Sequence, residues 1–576
     1  MTDRELVVSV LPDLPAVDKE FDYLVPDKWT DEVRVGTRVR IEFHGRRVGG
    51  WVTEVDVAPP EGVELKPIGA LSGWGPPAEV VSLAPWAAWR WAGRRAHFLA
   101  TASPSNVVRS IPPGREPGPV TVPPDPLTRE ALDAKRAVVR LPPAADVVPW
   151  AMAAGSAGLA RGGSIIVVPT AARAAWLARQ LSQRGLPVAL MPDEWPRAAA
   201  GGVVAIGTRS AAWAPLRTVG AAVVVDSHDD ALREERSPTW EAPIVVSERC
   251  DRDGASCIRT SPCPTLEDLQ WGRLVTPSRE GERKGWPSLE VIDRRESDPR
   301  EGLLGPRVIS VVRDAGRVAC VVNRRGRAGM LVCAGCQALV TCENCGDAVT
   351  QASSGRLHCS RCGADRPAVC TECGSSKLKA LRPGTTRLAE HLSALVGHEV
   401  PELSGAPSKD ERGATARVVI GTEAALRRAG RRDVVVFLDF DQELLAPRLR
   451  AAEQALALLA RAARMVRGRA GRVVVQTRLP DHVVLQAARR ADPALVAEAE
   501  LAQRRELGLP PFSAVAKITG PGAAEFVAGL GPGVSVAATP DRHLLRAPDT
   551  RTLCDALAEA PRPAARVRVE VDPRRI

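Results

Sequence analysis

No lysine in this chain follows a glycine. A phosphate loop of the form Gly-x-x-x-x-Gly-Lys-Ser/Thr needs that pair, because bare amides cradle the phosphates while the lysine reaches the β and γ oxygens. The motif is therefore missing from all 576 residues. Lysine is scarce altogether, nine of seventy-eight basic residues. No apolar run approaches the roughly 20 residues that a membrane-spanning helix needs. Met1 to Glu5 lacks the shape of a signal peptide. These absences predict a soluble, cytoplasmic protein with no membrane partner. Outside one short stretch only five cysteines occur, Cys250, Cys257, Cys263, Cys320 and Cys554. They match no metal spacing and read as ordinary buried thiols.

What is present is arginine. The formal charge is +10 and is carried almost wholly by guanidinium groups, which grip phosphate in a bidentate way. An Arg-, Ala- and Pro-rich composition also follows from a GC-rich genome, so charge alone makes nucleic acid only the leading class of partner. An apolar content of 45% is that of a globular chain with real cores. The length predicts about three to five domains.

The remaining eight cysteines fall between Cys333 and Cys373, as Cys333-x2-Cys336-x5-Cys342-x2-Cys345-x13-Cys359-x2-Cys362-x7-Cys370-x2-Cys373. Each Cys-x-x-Cys knuckle points two sulfurs at one tetrahedral ion, so four knuckles complete two closed zinc sites of four thiolates each. A disulfide framework does not suit a long chain without a signal peptide. The thirteen residues between Cys345 and Cys359 approximate a zinc-ribbon separation. That predicts a nested pair: Cys342, Cys345, Cys359 and Cys362 inside, and Cys333, Cys336, Cys370 and Cys373 outside. Closed sites leave no open position, so both Zn2+ ions are expected to be structural.

Residues 1–105 alternate apolar segments with glycine, at Leu6 to Val10, Val39 to Phe43 and Val48 to Val55, which predicts a β-rich domain. It closes on a helix-like run from Val80 to Leu99. Trp86, Trp89 and Trp91 there stand beside Arg90, Arg94 and Arg95, and burial of the indoles is preferred over base stacking. Residues 106–127 are a Pro- and Gly-rich linker. Residues 128–310 alternate strands with helices, the mark of a parallel α/β sheet. A second such rhythm covers 311–330 and 376–480, with the cysteine module (331–375) inserted after its first strand. Residues 481–576 read as an α+β tail.

Several segments, taken in order, carry a resemblance. They are Phe21-Asp-Tyr-Leu-Val-Pro26, Ile206-Gly-Thr-Arg-Ser210, Asn323-Arg-Arg-Gly326 before the cysteines, and Ile420-Gly-Thr422. Leu438-Asp-Phe-Asp441, Gly468-Arg-Ala-Gly-Arg472, Leu509-Pro-Pro511 and Val571-Asp-Pro573 follow. The chain resembles the primosomal protein N′ (PriA) family of bacterial replication-restart helicases over most of its length. The fold class that this implies is α/β multidomain. It has a β-rich N-terminal DNA-binding domain, two RecA-like helicase lobes, an inserted double zinc-ribbon-like module and an α+β C-terminal domain.

Against that family the motor motifs are degenerate. Counting back from Val168-Pro169, Asp146 falls where the phosphate-loop lysine should be, within Leu141-Pro-Pro-Ala-Ala-Asp-Val147. An aspartate facing triphosphate repels it, and prolines remove amide donors. The DEAH-type box reads Asp226-Ser227-His228-Asp229, keeping one candidate Mg2+ ligand in Asp226 and replacing the water-activating glutamate with Ser227. The Ser-Ala-Thr motif is Ser261-Pro-Cys263. The family's winged helix has no room in the linker.

The resemblance implies recognition of branched, forked and single-stranded DNA, and reloading of the replicative helicase. The implied protein partners are primosome and helicase-loading proteins and single-stranded DNA-binding protein. It further implies that Phe21, Asp22, Gly36 and Lys66 hold a 3′-terminal nucleotide. Asp22 would accept from the sugar hydroxyl, Phe21 would wall the base, Gly36 would give room, and Lys66 would neutralise phosphate. The sequence thus favours a restart protein without helicase activity; the alternative is an ATP-dependent 3′-5′ helicase with an unusual nucleotide site.

Overall fold

The computed structural model describes residues 5–114, 125–297, 302–322, 331–336, 338–344, 349–351, 355–359, 364–380, 385–403, 415–539 and 542–574. Valine-rich alternation makes the first domain an antiparallel sheet of β1 (Val7–Pro12), β2 (Phe21–Leu24), β3 (Arg38–Phe43), β4 (Arg46–Val55) and β5 (Ala70–Gly73), in the order β2-β1-β4-β3-β5. Val8, Val10, Tyr23, Ile41 and Val52 fill one side of it. Leu11 and Trp51 project to the other side and join a larger core.

The expected single helix from Val80 to Leu99 is three, Ala78–Val81, Leu83–Arg90 and Arg95–Ala102. The chain turns at Ala92, left-handed at φ +47°, and Gly93 passes so close to Pro238 and Phe98 that a side chain there would meet both. Trp91 is buried, and the Trp89 Nε1 donates to Asp555 Oδ1 at 2.8 Å. The indoles hold the fold.

The first parallel sheet comprises β6 (Arg136–Arg140), β7 (Ser164–Val167), β8 (Val188–Leu190), β9 (Val204–Gly207), β10 (Ala221–Val225), β11 (Ser256–Ser261) and β12 (Arg273–Val275). Their order is β12-β6-β11-β10-β7-β9-β8. β10 is buried on both faces, as a strand under helices on either side must be.

The second parallel sheet starts with β13 (Ser288–Asp293) and β14 (Val318–Val322). The chain then leaves for the cysteine module, whose β15 (Leu331–Cys333), β16 (Leu339–Val340), β17 (Val349–Gln351), β18 (Arg356–Cys359), β19 (Asp365–Pro367) and β20 (Leu378–Ala380) form two three-stranded sheets, β16-β15-β20 and β17-β18-β19. It returns as β21 (Glu402–Leu403), β22 (Val418–Gly421), β23 (Val434–Asp439) and β24 (Arg472–Thr477), giving the order β13-β24-β23-β14-β22-β21. β13 pairs with β24 throughout, so the lobe boundary expected at 310 lies before Ser288.

A four-stranded sheet of β25 (Ala514–Thr519), β26 (Ser535–Thr539), β27 (Arg542–Ala547) and β28 (Arg568–Val571) ends the chain. The helices Val483–Arg490 and Ala494–Glu506, expected to open this tail, bury Val484, Leu485 and Val496 in the second lobe instead. The tail's own core begins at Ala514. Ile518, Phe526 and Leu553 share one continuous core with Trp91, Phe98 and Trp213. The N-terminal helices, the first lobe and the C-terminal sheet are therefore packed together.

Candidate functional sites in the inter-lobe cleft, the cysteine module and the N-terminal domain

β10 delivers Asp226 to the cleft between the lobes, in a left-handed conformation at φ +54° that aspartate tolerates better than most side chains. Arg464, on the helix Ala451–Met465 of the second lobe, meets it in a bidentate pair. Nη1 and Nη2 donate to Oδ2 and Oδ1, each at 2.7 Å. Burial would raise the Asp226 carboxyl, but Arg464 and Arg173 more than offset this and hold it well below the usual carboxylate range. Both oxygens of the carboxylate that the sequence offers as a candidate Mg2+ ligand thus accept from a guanidinium.

The neighbouring Asp229 accepts from Arg427 and Arg461, both at 3.0 Å. Against the effect of burial these two arginines bring it down to about 2. Further along, Arg450 bonds Glu267 at 2.7 Å and Arg504 bonds Glu453 at 2.6 Å.

The loop that replaces the phosphate-binding motif is filled from both sides. Pro142 and Pro143 are buried. The Pro143 carbonyl accepts from Arg464 Nε at 3.0 Å, and the Ala144 amide donates to the Gly285 carbonyl. Asp146 caps the helix Val148–Leu159, its Oδ1 accepting from the Val148 amide at 2.9 Å. The positive helix end that would hold a phosphate already faces a carboxylate.

Ser227 turns into the first lobe. Its Oγ donates to Asp268 at 2.7 Å, and Asp268 is in turn paired with Arg259 at 2.9 Å. His228 Nδ1 lies 2.8 Å from Ser261 Oγ. Burial pulls the imidazole down despite Asp226 and Asp229, which keeps it neutral.

Asp146 and Asp226 stand out in the sequence, whereas Arg427, Arg461 and Arg464 do not. Their signal was the i, i+3 pair Arg461 and Arg464 on one helix face, hidden among many arginines.

In the cysteine module, Cys333, Cys336, Cys370 and Cys373 converge with every sulfur within 4.8 Å of the others. The Cys333–Cys373 and Cys336–Cys370 sulfurs are 3.4 and 3.6 Å apart. A tetrahedral ion with sulfur ligands at about 2.3 Å separates them by roughly 3.8 Å, so the donor set fits zinc. The left-handed Gly374, at φ +73°, closes the last knuckle. Cys342 and Cys359 are buried in a small core with Leu331, Val340, Val349 and Leu357. Cys345 and Cys362 lie outside the described residues. Cys250, Cys257, Cys263, Cys320 and Cys554 are all buried.

The N-terminal domain does not bring its four expected residues onto one surface. Phe21 opposes Val10 and Asp22 opposes Ser9 across the β1–β2 pair, so they project to opposite faces. Phe21 packs edge-on against Phe43 with centroids 5.0 Å apart and belongs to the core side, not to a base-binding wall beside Asp22. Asp22 Oδ1 accepts from Ser9 Oγ at 2.6 Å. Gly36 is left-handed at φ +88°, and a Cβ there would sit 1.7 Å from the Pro76 carbonyl oxygen. The close approach it permits is that of the protein's own chain. Lys66 pairs with Glu42 at 2.7 Å, both exposed.

A cleft of about 600 Å3, unforeseen from sequence, opens elsewhere on this domain. Arg34, Arg38, Arg40 and Arg109 line it together with Trp51 and Trp74. The Arg34 guanidinium stacks 3.1 Å from the Trp74 ring centroid.

Comparison with known proteins agrees with this assembly. Residues 9–104 match the family model of the 3′ DNA-binding domain (3′BD) of PriA. The probable replication restart protein PriA of Mycobacterium leprae is 32% identical, over 88% of this chain and 86% of its own length. Its Bacillus subtilis counterpart is 25% identical over 58% of this chain and 45% of that protein. Among solved structures, RecG bound to a three-way DNA junction gives a TM-score of 0.36 at 12% identity, over 66% of this chain and 47% of that one. That likeness is too remote to carry weight beside the sequence matches. With two parallel-sheet lobes, an inserted cysteine module and a matching 3′ DNA-binding domain, the chain belongs to the PriA family of replication restart proteins.

Proposed function

We propose that this protein acts in replication restart as a DNA-binding and recruiting protein that lacks a motor of its own. It would recognise abandoned or stalled forks, with Asp22 of the N-terminal domain accepting a hydrogen bond from the 3′-terminal hydroxyl. It would then bring primosome and helicase-loading proteins, and single-stranded DNA-binding protein, to the junction. Lys66 supports this reading, because its pair with Glu42 is exposed on both sides, is worth little in water, and exchanges readily for a DNA phosphate. Two structural Zn2+ ions would hold the cysteine module, the outer one on Cys333, Cys336, Cys370 and Cys373. In that role zinc crosslinks the chain and leaves the DNA contacts to the surrounding side chains.

One observation carries the absence of a motor: the Asp226 carboxylate is spent on Arg464. A RecA-like ATPase needs that carboxylate for its metal and a cationic loop for the phosphates. Here the metal position holds a guanidinium and the loop presents Asp146. The lobes are joined by ion pairs that a nucleotide cycle would have to break and remake. The test is ATP turnover by the purified protein with and without fork DNA, beside its affinity for fork, duplex and single strand. Fork preference that is indifferent to ATP is the expected result. DNA-stimulated hydrolysis that vanishes in Asp226→Ala would instead establish the ATP-dependent helicase alternative.

A further inference from the structure

Five arginines meet in a second cleft, of about 680 Å3, where the helix Arg279–Gly285 passes the helix Val483–Arg490 and the Gly468–Arg472 turn. Arg279, Arg283, Arg469, Arg489 and Arg490 line it around Trp286, and no carboxylate is among the lining residues. The arginines of the lobe boundary are paired, bonding Asp226, Asp229, Glu267 and Glu453. Here the two acids on the helix Arg279–Gly285 are already engaged, Glu282 with Arg140 and Glu280 with Lys284.

Arg283, Arg469, Arg489 and Arg490 are exposed, and none forms an ion pair among the described residues. Arg279 secures the wall by donating to the carbonyls of Arg490 and Ala491. Four like charges held together without counter-charge are costly to the fold, at a level that screening reduces but does not abolish. Such a cluster is a ready polyanion site.

We propose that this cleft binds the phosphate backbone of the DNA on which the protein acts, as a second point of attachment remote in sequence from the N-terminal domain. Phosphate is also offered by a free nucleotide, but the lining favours a DNA backbone. It supplies no carboxylate for a nucleotide's magnesium, and Trp286 is buried at 3% exposure, leaving no open aromatic face for a base. An acidic peptide is disfavoured for the same reason, since the cleft presents no exposed apolar anchor. Guanidinium groups alone give sequence-independent, salt-sensitive attachment.

The inference rests on the reading of the chain as a DNA-binding restart protein, and one titration separates the two. Binding of labelled fork and plain duplex by wild type and by the triple variant Arg283→Ala, Arg489→Ala, Arg490→Ala is followed across 50–200 mM salt. These side chains form no ion pair in the fold, so thermal melting and zinc content should match wild type and serve as the folding control. The variant should bind at least about tenfold more weakly at low salt. Its dependence of log K on log salt should be shallower by roughly 0.9 for each duplex phosphate that it no longer neutralises.

An unchanged slope with wild-type fork preference intact overturns the cleft alone. A shallower slope on plain duplex, with no fork preference in the wild type, overturns the restart reading and leaves the cleft standing. An unchanged DNA slope combined with lost thermal protection by ATP, or lost binding of a poly-glutamate peptide, assigns the cleft to that other anion and overturns the DNA assignment.

Discussion

Asp226 and Arg464 form a doubly hydrogen-bonded ion pair across the lobe boundary, 2.7 Å at each contact, with the aspartate side chain 5% exposed and the arginine 30% exposed. Removing one partner of a buried pair costs up to about 3–5 kcal/mol, and Arg173, which also acts on Asp226, softens that loss when Arg464 is removed. Arg464→Ala should therefore lower the melting temperature by several degrees. Replacing both, as Asp226→Ala with Arg464→Ala, should cost less than the sum of the single changes. None of these variants should gain ATP turnover. Additive losses in the double-mutant cycle would show that the pair is not coupled and that the lobes are held by other contacts.

The cleft should also loosen in acid. Arg461 and Arg427 depress Asp229 to about 2, whereas an unfolded aspartate titrates near 3.9. A depressed carboxyl stabilises the fold above its unfolded pKa and loses that contribution as pH falls through the folded one. Its share is therefore complete above about pH 4 and fades toward pH 2. Hydrogen exchange of residues 226–232 and 423–464 should accelerate over that window in wild type. Asp229→Asn should exchange faster from the outset, with a smaller further change in acid. Identical pH profiles for the two proteins would remove Asp229 as the titrating latch.

Much of this architecture was legible in the sequence because patterning and spacing are local. The buried runs at β7, β10, β14 and β23 are rich in valine and isoleucine and betray a parallel sheet. The outer cysteines announce themselves by knuckle spacing, and the structure gathers those four. Strands β8 and β12, with three residues each, are too short for periodicity to register. β11 hides because Arg259 and Ser261 interrupt its apolar pattern, although both are buried, Arg259 against Asp268. β13 was assigned to the wrong lobe, since sequence order says nothing about its pairing with β24. The inter-lobe ion pairs were invisible for a similar reason: Asp226 and Arg464 lie more than two hundred residues apart. The FDYLVP segment marked the N-terminal domain, yet strand alternation separates Phe21 from Asp22.

Chelation should unfold the cysteine module. Native mass spectrometry of intact wild-type protein is expected to show two zinc ions. Cys370→Ser should release one of them and leave the ion held with Cys342 and Cys359. A single ion in undamaged wild-type protein would defeat the two-site assignment. If Cys342→Ser and Cys370→Ser disturbed the same ion, the nested arrangement would be wrong. Because zinc binding free energy is folding free energy in such modules, the Cys370→Ser module should also become protease-sensitive before the rest of the chain.

The most function-bearing expectation concerns Asp22. Ser9 Oγ holds one carboxylate oxygen at 2.6 Å, which fixes the group and leaves Oδ2 without a hydrogen-bond partner among the described residues. A sugar hydroxyl donating to that oxygen makes a charge-assisted hydrogen bond worth about 1.5–3 kcal/mol, or roughly 10- to 100-fold in affinity. A fork whose leading strand ends in a 3′ hydroxyl should therefore bind more tightly by that factor than one ending in a 3′ phosphate, which the carboxylate repels. Asp22→Ala should bind both ends equally. Asp22→Asn keeps an acceptor and sheds the charge, so it should mainly regain affinity for the phosphate end. Ser9→Ala should weaken the discrimination without abolishing it, because the carboxylate remains but is no longer held. Phe21→Ala is expected to lower the melting temperature of the domain by removing its packing on Phe43, without altering the ratio between the two ends. Equal affinity of the wild-type protein for hydroxyl and phosphate ends would remove Asp22 from 3′-end recognition and leave DNA attachment to the arginine-lined clefts.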